Sequence, residues 1–105
     1  MADVRWTPQA RADLRAIRAF LARESPRYAE VLEDQLLAAT HRLTLFPRSG
    51  RVVPEMGDEA MRELSYRGYR IVYVVVDDAR VDVLTVFHSA RPFGQEGTRE
   101  EPNAP

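Results

Sequence analysis

The stretch Tyr69-Arg70-Ile71-Val72-Tyr73-Val74-Val75-Val76 decides the fold. Apart from Arg70, every residue in it is β-branched or aromatic, the side-chain types that suit a pleated surface. It is apolar at odd and even positions alike, which predicts a central strand covered on both faces. Asp77-Asp78-Ala79 then reads as a turn and Val81 to His88 as a further strand. On the other side Arg67-Gly68 is a turn signal, and Met61 to Tyr66 is a third strand. Three strands joined by short turns form an antiparallel meander.

Upstream the period changes to that of a helix. Thr7-Pro8 pairs a hydroxyl that can cap a helix with a proline suited to its first position. Leu14, Ile17 and Leu21 then form an apolar stripe, predicting a helix over residues 8 to 23. Arg11, Arg15 and Arg18 lie on another face, read as solvated. Ser25-Pro26 repeats the start signal. Ala29, Leu32, Leu36, Ala39, Leu43 and Phe46 follow in steps of three and four, a narrow seam that packs helix on helix until Pro47 and Gly50 stop it. Only Glu24 and Ser25 separate the two helices, so they fold back on each other. Residues 47–59 carry two prolines and two glycines and read as a long loop. Val4-Arg5-Trp6 is a short first strand, with Trp6 expected in the core beneath the helices. The order β-α-α-β-β-β makes the class α+β, a helical hairpin packed on a small antiparallel sheet.

Composition bounds the function. With 105 residues the chain is one domain, taken as residues 1–92, followed by a tail over 93–105 too poor in apolar residues to order itself. That acidic, flexible tail sets Arg99 against Glu96, Glu100 and Glu101, leaving 14 basic and 13 acidic residues in the body. A near-neutral body excludes a strongly basic nucleic-acid coat. Cysteine is absent, so there is no disulfide, no thiolate zinc site and no thiol nucleophile. All 15 basic residues are arginine, so no lysine amine serves as nucleophile or proton shuttle. Neither a metal nor a cofactor is expected. The longest apolar run, Ile71 to Val76, is too short to span a membrane. The opening Met1-Ala2-Asp3-Val4-Arg5-Trp6 holds no apolar targeting core, which sets the expectation of a cytoplasmic protein.

Several pieces of the chain, in order, resemble the RelE/ParE superfamily of toxins from type II toxin–antitoxin pairs. They are Trp6-Thr7-Pro8-Gln9-Ala10 with Asp13, Leu14 and Ile17; Leu43-Thr44-Leu45-Phe46-Pro47 with Ser49-Gly50-Arg51; Arg62-Glu63-Leu64 with Tyr69-Arg70-Ile71-Val72-Tyr73; and Val81-Asp82-Val83-Leu84 running into Val86-Phe87-His88 and Arg91. Together they cover residues 4 to 92. The resemblance implies a small growth inhibitor silenced by a cognate antitoxin. The helical hairpin, through Val31 or Leu37, and the sheet edge near Arg62 are the expected contacts for that partner. Members of the superfamily either cut messenger RNA on the ribosome or poison DNA gyrase, and fold alone does not choose between the two.

Metal-free RNA cleavage needs a base for the ribose hydroxyl, cations for the phosphate and an acid for the leaving oxygen. The lysine-dependent version of that site is impossible here. In the glutamate–arginine–histidine version, the resemblance puts Glu55, Arg70 and His88 in the catalytic roles, but Ser89 stands where a tyrosine would follow the histidine. Arg51, Arg62, Arg67 and Arg91 are candidate binding residues, interleaved with Glu55, Asp58, Glu59 and Glu63. That interleaving favours a protein target, hence a ParE-like action on gyrase, over the ribosome and mRNA, with a non-toxic partner-binding module of the same fold as the other alternative. Register supplies a further criterion. A two-residue turn centred on Asp78-Ala79 sets Arg70 opposite Phe87 and puts His88 on the other face; a bulge or a three-residue turn brings Arg70 and His88 together.

Overall fold

The computed structural model describes residues 1–90, so Arg91 and the tail 93–105 lie outside the described residues. Strand β1 (Asp3–Trp6) leads into α1 (Pro8–Ala22) and α2 (Pro26–Ala39), a 3-10 turn (His41–Thr44), a two-residue strand β2 (Arg51–Val52), and then β3 (Met61–Tyr66), β4 (Tyr69–Asp77) and β5 (Arg80–His88). One five-stranded sheet runs β1-β5-β4-β3-β2. The meander pairs antiparallel as expected, but β1 lies parallel to β5, so the sheet is mixed rather than wholly antiparallel. The reason lies in the connection. Both helices and strands β2 to β4 separate β1 from β5, a connection long enough to bring the chain back in the same direction. No helix among the described residues is long and apolar enough to cross a membrane.

Both helices begin where the hydroxyl–proline pairs predict. Thr7 Oγ1 accepts from the Ala10 amide at 3.2 Å and Ser25 Oγ from the Tyr28 amide at 3.1 Å, with Pro8 and Pro26 opening each first turn. The second seam is cut shorter than its periodicity suggests. At Thr40 the side chain turns back to donate to the Leu37 carbonyl, and the chain tightens into the 3-10 turn. Leu43 still reaches the core, whereas Phe46, out of phase after the tighter turn, is left exposed.

The helices cover one face of the sheet. Leu14, Leu32, Leu36 and Leu43 pack against Leu64, Ile71, Tyr73, Val81, Val83 and Val86. Fully burying one such aliphatic side chain contributes roughly 1.5–3 kcal/mol. Trp6 joins this core only at its margin, half-buried beside a cleft. On the opposite, outer face a smaller cluster of Val53, Val72 and Phe87, with Met61 against it, is roofed by the loop after β2. Gly50 marks where the segment leading into β2 touches the sheet. Its amide donates to the buried Tyr73 hydroxyl at 2.9 Å, and a Cβ there would stand 2.6 Å from the same oxygen. Burial pushes the Tyr73 phenol up, although the Gly50 amide donating to its oxygen pulls the other way.

Two irregularities set the register of the central hairpin. The pairing skips Val76 on β4 and Leu84 on β5, one extra residue on each strand. The two shifts cancel, so beyond them the strands pair as an unbulged hairpin with a two-residue turn would: Arg70 opposite Phe87 and Tyr69 opposite His88. Past Leu84, β1 no longer covers β5, and Asp13 of α1 takes over that edge. Its carboxylate accepts from the Val86 amide at 3.2 Å and from the Thr85 hydroxyl.

The β3–β4 turn holds Arg67 at φ 50° and Gly68 at φ 86°, the left-handed pair that two-residue hairpins favour. Glycine suits that geometry and arginine does not. Arg67→Asn should therefore raise the melting temperature by about 1–4 °C in a calorimetric scan, since asparagine tolerates the left-handed region.

Candidate functional site

The outer face carries a row of four side chains, one from each of four strands. Register places Arg51 of β2 opposite Glu63 of β3. Glu63 sits diagonally from Arg70 on β4, and Arg70 lies opposite Phe87 on β5. The contacts follow that order. Glu63 accepts from Arg51 Nε on one oxygen, and on the other from Arg70 Nε at 2.6 Å, with Arg70 Nη2 also against it. The guanidinium carbon of Arg70 lies 5.3 Å from the Phe87 ring centroid, a cation–π contact. Glu63 is only 2 % exposed. Two guanidiniums against a carboxylate that deep offset the cost of removing it from water.

Glu55 closes the row from outside. It comes from the loop after β2, and its two oxygens accept from Arg70 Nη1 and Nη2, each at 3.2 Å. The Arg70 hydrogen bond holds the Glu55 carboxyl below its ordinary value of 4.5. For Arg70 itself burial works against the charge, but the bonds from Glu55 and Glu63 outweigh it and the guanidinium is held more firmly protonated.

Of the sequence-derived catalytic trio, the structure therefore brings Arg70 and Glu55 together and leaves His88 apart. His88 stands on the helix-covered face, its ring edge-on to Tyr69 with centroids 5.4 Å apart. Its Nδ1 accepts from the Ala90 amide at 3.2 Å, which puts the proton of the neutral ring on Nε2. Arg62 is tied to backbone: Nε donates to the Glu59 carbonyl at 2.9 Å, and Nη1 to the Arg48 and Gly50 carbonyls at 3.1 Å each. It ties the segment before β2 to the end of the loop after it. Arg67 stays exposed at the hairpin tip, its guanidinium over the Tyr66 ring. Arg91 lies outside the described residues. Sequence reasoning missed Glu63 and Phe87 as members of the site. The available signal was an acid inside a strand next in order to the arginine-bearing one.

A second concave surface lies at the other end of the sheet. A cleft of about 740 Å³ runs along β1 beside the helical hairpin, its apolar lining including Trp6, Leu14 and Leu37, with four arginines (Arg5, Arg11, Arg15 and Arg80) and two acids (Glu33 and Asp82) around it. Arg11 Nε donates to the Trp6 carbonyl at 3.2 Å. Arg18, farther along α1, reaches Glu33 on α2 at 3.1 Å instead.

The row makes a stability prediction. Glu63→Ala should cost about 3 kcal/mol in urea unfolding. That is the low end for breaking a buried pair, because Glu55 still meets Arg70.

Comparison with known proteins agrees with this architecture. A family model described as the ParE toxin of the type II toxin–antitoxin system, parDE, matches residues 4–93. Toxin RelE2 of Caulobacter vibrioides is 33 % identical over 91 residues, covering 87 % of this chain and 99 % of that protein. The chromosomal ParDE toxin–antitoxin system of P. aeruginosa contains a chain of the same fold, with a TM-score of 0.69 at 20 % identity, covering 84 % of this chain and 96 % of that one. A chain of the RelBE2 toxin–antitoxin complex of Mycobacterium tuberculosis follows, with a TM-score of 0.53 at 24 % identity over 83 % and 96 % of the two chains. With the family model spanning nearly all of the described residues and the mixed five-stranded sheet under a helical hairpin in place, this chain belongs to the ParE toxin family of type II toxin–antitoxin systems.

Proposed function

We propose that the chain arrests bacterial growth by binding a protein target, DNA gyrase, rather than by cutting mRNA, and that a cognate antitoxin silences it in the cytoplasm. The observation that carries the reading is the separation of Arg70 from His88 on opposite faces of the sheet. Acid–base cleavage of a phosphodiester needs the proton-transfer groups and the phosphate-holding cation within hydrogen-bond reach of one reacting centre. Here the cation faces outward between two carboxylates, and the histidine faces the helices. The arginines near Arg70 are also committed: Arg51 to Glu63, and Arg62 to three carbonyls. A polyanion would have to compete with carboxylates for the same guanidiniums, whereas a protein surface needs only local complementarity.

The test is direct. Purified chain is incubated with gyrase and relaxed or supercoiled plasmid, and in parallel with programmed ribosomes. Inhibited supercoiling with intact message is the expected result. Cleaved message with untouched supercoiling would replace this reading by the ribosome-dependent nuclease.

For the antitoxin, the cleft along β1 supports a docking place. Residues at alternate positions of an edge strand leave amide and carbonyl groups unpaired, ready for an added strand. The apolar lining includes Leu37, one of the two hairpin residues singled out by sequence. The surrounding arginines suit an acidic segment. Leu37 is 38 % exposed, so a polar substitution there should leave the fold intact. Leu37→Glu should keep growth arrest but escape rescue by co-expressed antitoxin, read as colony counts and as loss of co-purification.

A further inference from the structure

The two carboxylates on Arg70 differ in kind. Glu63 is built into the sheet: it is buried, takes the Nε side of the guanidinium, and shares its other oxygen with Arg51. Glu55 belongs to the loop. Its side chain keeps 43 % of its surface exposed, while that of Arg70 keeps 12 %. It meets only the outward fork, Nη1 and Nη2. The guanidinium beneath it is already oriented, backed by the Phe87 ring and fixed at Nε. A planar fork held this way is the arrangement that recognises a pair of oxygens bidentately, and holding it in place removes the ordering cost from the binding step.

We propose that the outward fork of Arg70 is a binding site for a carboxylate side chain of the toxin's protein target, and that Glu55 is a self-ligand occupying that site until the target displaces it. This rests on the protein-target reading above. The chemistry alone, two oxygens on one fork, fits a phosphate as well. The surroundings favour a carboxylate. Glu55, Asp58 and Glu59 share the loop, and Glu63 already engages both Arg51 and Arg70. A nucleic acid gains affinity by placing several phosphates on several cations, whereas a single carboxylate needs only one fork. Displacement is feasible because an ion pair with one exposed member is weak. Glu63 cannot play this part, because removing its partner would strand a buried charge.

The sign of one substitution tests the proposal. If Glu55 competes with the ligand, removing its charge helps the toxin; if Glu55 is a catalytic base, removing its charge disables the toxin. Wild type, Glu55→Gln, Glu55→Ala and Arg70→Lys are expressed from a titratable promoter in a bacterium, with protein level read by immunoblot and folding by circular dichroism. Arg70→Lys keeps a positive charge against buried Glu63 while losing the planar fork. Both Glu55 variants should arrest growth at about fivefold lower protein level than wild type, the scale on which an exposed ion pair competes. Arg70→Lys should lose the arrest. Binding to immobilised gyrase should tighten by the same factor in the Glu55 variants.

Glu55 variants that fold and arrest growth no better than wild type overturn the proposal. Weaker arrest by those variants, with cut transcripts in the wild-type culture, overturns both the proposal and the gyrase reading. Stronger arrest with cut transcripts and unchanged gyrase binding moves the ligand to a phosphate and overturns the carboxylate assignment. Stronger arrest with unchanged gyrase binding and intact transcripts keeps the self-ligand and overturns gyrase alone as the target.

Discussion

A single buried carboxylate organises the outer half of this molecule. Glu63 lies buried in β3, and the guanidiniums of Arg51 and Arg70 against its two oxygens offset the cost of taking a carboxylate out of water. One comes from the two-residue strand β2 and the other from the central strand β4. The requirement therefore ties three strands together in one register. A slip of one residue on any of them would turn a side chain of the row to the other face and leave Glu63 uncompensated. Glu55 on Arg70 ties the loop after β2 to the same row, Arg62 fastens the end of that loop and the segment before β2 through their carbonyls, and Gly50 lets that preceding segment approach Tyr73.

That constraint also separates structure from recognition. The inner face of the sheet is ordinary core, and the helical hairpin is seated on it by aliphatic burial and by Asp13 at the β5 edge. The outer face carries charge in two layers, one buried in the sheet at Glu63, the other half-exposed at Glu55. On the proposed reading, the surface that takes the antitoxin and the surface that meets the target lie apart. The cleft along β1 lies across β5 and β4 from the β2–β3 side, where the loop bearing Glu55 is attached.

Much of the fold was legible from local chemistry. The paired Ser/Thr–Pro signals started both helices where the structure starts them, and β3 runs from Met61 to Tyr66 as its alternation predicted. Some of it was not. Phe46 left the predicted seam because a 3-10 turn changes the angular step, and that turn depends on how Thr40 bonds to backbone rather than on apolar spacing. Pairing direction for β1 is not encoded in three residues; it follows from the long connection that carries the chain back to the β5 edge.

Residue chemistry by itself determined that Arg70 stands in a strand otherwise apolar and that no lysine or cysteine can serve the site. It also placed acids from the loop and from β3 near enough in sequence to compete for arginine. Tertiary structure alone decided what Arg70 faces. The bulges at Val76 and Leu84 lie on opposite strands and cancel, so His88 ends on the helix side while Glu63, Phe87 and Glu55 gather around the guanidinium. Bulges of this kind arise from packing between layers and from the edge that Asp13 caps. Side-chain identity along one strand carries no record of either.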